Sequence, residues 1–116
     1  RILFAETDTG IIHLLDDTGP RPTVAPFLHS PDIQHPDNLE WDDHRQGLWI
    51  TDDSRLSELW FWDGRDFQRV VSDTGGEITG VESHSDGRVW INLQGQHHGE
   101  DQTVLLTPVS LQPATP

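Results

Sequence analysis

The chain has 116 residues, 33% of them hydrophobic, no Cys, and twenty acids against seven basic residues, all Arg, for a formal charge of −13. That size allows one domain's worth of core at most. The charge argues against nucleic acid or an anionic membrane surface as partner, the lack of Cys excludes disulfides and thiolate metal sites, and no apolar run approaches the roughly 20 residues that cross a bilayer.

In chain order, residues 2–8 and 11–17 read as two strands joined by Thr9-Gly10. Pro20 and Pro22 stiffen the loop that follows, because each removes a backbone donor. Residues 23–28 make another strand, and residues 29–37 link it to the next hairpin. In that hairpin Leu39 and Trp41 lie on one face of the first strand, with Asn38 and Glu40 on the other. The run from Asp42 to Gly47 turns the chain, and Leu48-Trp49-Ile50-Thr51 returns, β-branched and aromatic. Residues 58–64 supply a third strand and residues 67–72 a short fourth. Residues 73–77 are a second link, and a second hairpin follows through Val81, the Ser85-Asp86-Gly87 turn and Trp90. A polar loop over residues 94–102 precedes a strand at 103–107. The Pro-, Gln- and Ser-rich residues 108–116 read as a tail. No stretch carries the helical period.

The two hairpins are copies of each other: Trp90 follows Trp49 by 41 residues and Val81 follows Leu39 by 42. Four-stranded propeller blades repeat at roughly 40–50 residues. The expected fold is all-β, a partial β-propeller of about two and a half four-stranded antiparallel blades. Residues 1–30 form a partial first blade, 31–73 a complete blade, 74–107 a partial last blade, and 108–116 the tail. A closed ring needs roughly 4–8 blades, so the chain reads as the C-terminal part of a longer protein whose remaining blades are its partners. Open sheet edges and half-covered Trp faces should make it fragile or sticky by itself.

In such a fold the segments entering the innermost strands gather at one rim. Two entries carry hard oxygen donors: Asp37-Asn38, and Glu77 with Thr79. Oxygen donors suit Ca²⁺ or Mg²⁺, and a nearby His widens the choice toward Fe or Zn. On spacing alone Asp37 and Asn38 are better explained as an Asx turn after Pro36. Asp42-Asp43 and Ser85-Asp86-Gly87 are turn residues, and Asp52, Asp53 and Glu58 are expected to be solvated. Asn92 is unusual inside a strand. The Gln96-His97-His98-Gly99-Glu100 run could supply imidazole ligands or a proton donor, or be a plain solvated loop.

Three motifs in order resemble the C-terminal third of PhoX-type alkaline phosphatases. They are Pro36-Asp37-Asn38-Leu39 leading to Gly47-Leu48-Trp49-Ile50, then Gly76-Glu77-Ile78-Thr79-Gly80-Val81, then Asp86 to Gln94. The match covers roughly residues 31–100. The resemblance implies a six-bladed propeller holding calcium and iron at its channel mouth, hydrolysing small phosphate monoesters outside the cytoplasm. It implies Asp37, Asn38, Glu77 and Asn92 as metal ligands and His97 as a catalytic residue. Two departures stand out: Gly76 occupies a place where the family often has Cys, and two extra residues interrupt the closing motif around His97. A homologue that keeps the fold without the phosphatase activity is one alternative. Others are a non-catalytic propeller binding sugar or protein through exposed Trp rows, and a lactonase-like hydrolase with one divalent metal.

Overall fold

A computed structural model describes residues 1–54, 57–72, 76–95 and 101–107. Ten strands follow one another: β1 (Ile2–Glu6), β2 (Ile11–Asp16), β3 (Thr23–His29), β4 (Pro36–Asp42), β5 (Gly47–Asp52), β6 (Glu58–Trp62), β7 (Phe67–Val71), β8 (Glu77–Ser83), β9 (Val89–Gln94) and β10 (Gln102–Leu106). No helix occurs among the described residues. The strands form three antiparallel meanders of three, four and three strands, with orders β1-β2-β3, β4-β5-β6-β7 and β8-β9-β10. Among the described residues no sheet closes on itself.

The middle sheet is the centre of the molecule because both its faces are covered. Every residue of β5 is buried, and a strand buried on both sides reads as a continuous apolar run rather than an alternation. Alternate residues then serve two cores. Leu48, Ile50 and Trp60 pack with Ile12 and Ile33, and with half-buried Leu3, Leu28 and Leu39, toward the first sheet. Trp49 and Leu59 pack with Ile78, Val89 and Ile91 toward the third. Burying one such Leu, Ile or Val side chain is worth about 1.5–3 kcal/mol, so the two junctions hold the three sheets side by side. Strand β4 lies beside both β1 and β8. Its side chains divide as the alternation requires: Leu39 faces the first sheet, whereas the Ser83 hydroxyl of β8 donates to Glu40 at 3.2 Å.

The expected rows of exposed tryptophan do not exist. Trp49 and Trp60 belong to the two cores, and Trp41 alone of the five is exposed, at 42%. Asp52 and Glu58, expected in solvent, are also buried. Asp52 accepts from the His35 amide at 3.0 Å, and Glu58 accepts from Arg69 and Ser72. Each buried carboxylate is thereby supplied with donors, as burial of a charge demands.

Candidate metal centre

The rim is built by the geometry of one hairpin. In an antiparallel pair the exit of the second strand lies beside the entry of the first, and Pro36 is the register partner of Asp52. Three bonds pin this junction. The buried Asp52 carboxylate accepts the His35 amide, the Asp53 amide donates to the His35 carbonyl at 2.8 Å, and the Thr7 hydroxyl donates to the Pro36 carbonyl at 2.9 Å. Asp37, just after Pro36, and Asp53, just after Asp52, therefore emerge side by side.

Glu77 arrives from the third sheet. The Ile78 amide donates to the Ser57 hydroxyl at 2.8 Å, which ties the entry of β8 to the loop leaving β5. Gly76 passes so close to the Gln94 carbonyl oxygen that any Cβ there would clash with backbone. That close approach leaves room for glycine alone at this position.

The result is a cluster of three carboxylates, Asp37, Asp53 and Glu77, each offering an oxygen within 4.8 Å of the others. Asp37 and Asp53 are exposed and Glu77 is half-buried. Burial pushes the Glu77 carboxyl above its ordinary value; the charges of Asp53 and Asp37 add to that, as does a hydrogen bond with Asp53. Two like charges about 4 Å apart repel by about 1 kcal/mol in a water-like medium and about 4 at an effective dielectric of 20. A proton or a cation relieves that repulsion. Calcium binds oxygens at about 2.3–2.6 Å, so two ligands across the ion stand up to about 5 Å apart, whereas magnesium at about 2.0–2.1 Å draws them within about 4.2 Å. The donor set is all oxygen, and among the described residues no His joins the cluster.

Of the residues singled out from the sequence, the fold brings Asp37 and Glu77 together across 40 positions of chain. Asn38 stands next to Asp37, and its backbone N–H donates to the Thr51 hydroxyl at 2.8 Å. Asn92 sits on β9 opposite the irregular stretch between Ile78 and Gly80. Its Oδ1 accepts from the Thr103 hydroxyl at 3.0 Å, and it lines a separate polar hollow with Thr79, Gln94 and Asp101. His97 lies outside the described residues. Asp53 is the member that sequence reasoning missed. The signal was present, since a hairpin returns the chain to the end where it began.

At the far end of β4 a different acid has the opposite surroundings. Asp42 is fully buried and accepts from the Trp49 indole at 2.8 Å, the Arg45 amide at 2.9 Å and the Arg45 guanidinium at 2.9 Å. Burial alone would raise its carboxyl, but those three donors and the Arg45 charge hold it below the ordinary value. Arg45 continues to the Gly87 carbonyl at 2.7 Å, joining the middle and third sheets. A scan against protein-family models and searches of curated proteins and solved structures found no match for this chain.

Proposed function

We propose that the three sheets are consecutive blades of a β-propeller and that Asp37, Asp53 and Glu77 form a calcium-binding part of its rim, in a hydrolase acting on small phosphate monoesters. The observation that carries this reading is the convergence of Asp37 and Glu77, from equivalent strand entries of neighbouring sheets, on the same few ångströms as Asp53. A bound divalent cation would supply charge neutralisation for a phosphate's non-bridging oxygens. The chain's own part is to hold three hard donors on backbone fixed by Asp52, His35 and Ser57. A protein of charge −13 repels a phosphate dianion, so a local inversion of the field at this cluster is needed before such a substrate can approach. Three carboxylates with two exposed fit the weak calcium affinity of extracellular modules, about 10⁻⁴–10⁻³ M, in keeping with a place outside the cytoplasm. Iron, also implied by the family resemblance, would require donors beyond these three oxygens.

The binding-platform alternative has less support, because it relied on exposed Trp rows and two of those tryptophans are core residues. Calorimetric titration with calcium tests the proposal. Saturable binding by the wild-type chain, lost in Asp37→Asn and Glu77→Gln, is expected; wild type and variants behaving alike would overturn it. Because the remaining rim belongs to other blades, the isolated chain should not appreciably turn over a chromogenic phosphate ester, with or without calcium. Turnover of a lactone in place of the phosphate ester by the assembled protein would move the reading to the lactonase class.

A further inference from the structure

A second polar recess lies at the end of the sheets opposite the rim. The turns of two hairpins meet there, residues 42–47 between β4 and β5 and residues 84–88 between β8 and β9. They are locked to each other. Arg45 donates to the Gly87 carbonyl at 2.7 Å, and a Cβ on Gly87 would stand 3.0 Å from Nε2 of His44. The φ of 91° at Gly87 is a left-handed conformation that favours glycine in any case. Beside this contact is a hollow of about 140 Å³ whose lining includes Glu40, Trp41, Asp43, His44, Ser83 and His84. Both hairpins lie among the described residues, so the hollow owes nothing to an unpaired sheet edge.

Charge sets this hollow apart. Elsewhere the chain places its few arginines on its acids: Arg1 on Asp16, Arg45 on Asp42, Arg69 on Glu58 and Arg88 on Asp86. Glu40 and Asp43 have no cationic partner among the described residues. Glu40 is half-buried, and its carboxylate accepts from the neutral Ser83 hydroxyl at 3.2 Å. Asp43 accepts from the Trp41 indole at 3.0 Å. One oxygen of each is thus held in place, and the other has no hydrogen-bond partner among the described residues. Trp41 is the exposed member of the five tryptophans.

A bare metal ion does not match this lining. Two imidazoles and two carboxylates share the hollow, yet among the described residues only the rim trio brings three ligand atoms within 4.8 Å of one another. A wider cation is called for, and the walls specify its form. Two carboxylates accept N–H groups, and an indole beside them offers a π face. A guanidinium uses both features, being flat, weakly hydrated, able to stack on aromatic rings and able to meet carboxylates through paired hydrogen bonds. An ammonium is a compact, strongly hydrated point charge and uses them less well. We propose that this hollow binds a guanidinium carried on an alkyl chain, with Glu40 and Asp43 accepting its N–H groups and Trp41 covering one face. The field of a chain of charge −13 draws in any cation, so selectivity comes from the hollow itself. The inference rests on neither calcium binding nor phosphate chemistry and fails independently of both.

The test follows the Trp41 indole N–H and the His44 and His84 rings by NMR during titration with acetyl-Gly-Arg-Gly-amide, its lysine and citrulline counterparts, and methylguanidinium. Saturable shifts at these three residues are expected with the arginine peptide. Binding should be at least about fivefold weaker for the lysine peptide and absent for the citrulline peptide, whose urea group has the shape of a guanidinium without its charge. Glu40→Gln, which keeps an acceptor for Ser83, and Trp41→Ala should each weaken binding at least about fivefold. Asp8→Asn, at the rim end of the sheets, and saturating calcium should each change it less than about twofold, because the molecule's general field is screened in salt. Methylguanidinium binding as tightly as the arginine peptide would assign the hollow to small guanidines, whereas a markedly tighter peptide would assign it to arginine side chains of a polypeptide. Equal binding of the lysine peptide, or Asp8→Asn losing as much as Glu40→Gln, would reduce the effect to general attraction by an acidic surface and overturn the proposal. Shifts confined to the surroundings of Asp37, Asp53 and Glu77 would overturn it as well.

Discussion

Strand β4 carries an acid problem at each end, about 17 Å apart at 3.3 Å per residue, and solves it at only one. Asp42 has three donors and a guanidinium, and its carboxyl is held low. Glu77, beside Asp37 and Asp53, has burial and two like charges, and its carboxyl is pushed up. An acid whose partners come from the chain is a structural fixture. An acid whose nearest neighbours are other acids stores repulsion that something from solution can release. Burial is greater at Asp42, so the amount of burial does not separate the two ends; the sign of the neighbours does.

The largest effect expected is at the satisfied end. Asp42→Ala leaves Arg45, which is only 27% exposed, and the buried Trp49 indole without their acceptor. Removing one member of a buried pair costs about 3–5 kcal/mol, and urea unfolding should register a loss of that size. A loss under about 1 kcal/mol would mean that the Asp42 end is no more structural than the rim. The pH dependence has a definite sign. A carboxyl lowered in the folded state contributes stability that is present above its unfolded value, about 4, and lost as pH falls through the lower folded value. The Asp42→Asn variant should therefore lose part of the acid-induced destabilisation that wild type shows in that range.

How far these two ends could be read from sequence differs for a physical reason. The strands and the division of Leu39 from Glu40 follow from alternation, which is local. The turn role of Asp42 was equally local, since its Oδ1 meets an amide three residues on. Its reach to Trp49 depends on the pairing of β4 with β5. Asp53 is exposed as expected, but its place in the cluster was missed because its meaning comes from the neighbour of its neighbour: it matters only once Pro36 is opposite Asp52 and a third sheet brings Glu77 alongside. Asp52 and Glu58 were misread for a related reason, as the donors that make their burial tolerable lie 11–17 residues away.

At the unsatisfied end the effects are smaller and opposite in sign. Glu77→Gln, without calcium at neutral pH, should stabilise the chain by on the order of 1 kcal/mol, the repulsion of one carboxylate pair in a water-like medium. The pH dependence has the opposite sign to that at Asp42. A raised folded-state carboxyl favours the fold below its unfolded value, and that contribution is lost as pH rises through the raised value. The advantage of Glu77→Gln should hence appear on going from acid toward neutral pH and vanish on returning. Saturating calcium should reverse the ranking, because wild type then gains RT ln(1 + [L]/Kd) and the variant does not. Thermal melts of both proteins with and without calcium give the four values needed. Wild type ranking below the variant even at saturation would leave the cluster as repulsion with no ligand to relieve it.

Asn92 supplies the smallest effect and the sharpest boundary for the rim. It was grouped with Asp37, Asn38 and Glu77 as a metal ligand, yet its carboxamide oxygen already accepts from Thr103, and its neighbours line a different hollow. An oxygen with a donor in place must exchange that bond for a cation contact, so little is gained by the move. Asn92→Ala should change calcium affinity less than twofold. Asp53→Asn, which removes a charge from the cluster itself, should cost at least tenfold, about 1.4 kcal/mol. The two variants measured side by side decide whether the rim is drawn by motif or by where the hairpins deliver their carboxylates. The converse ranking would place the cation in the hollow beside Asn92 and leave Asp53 outside the site.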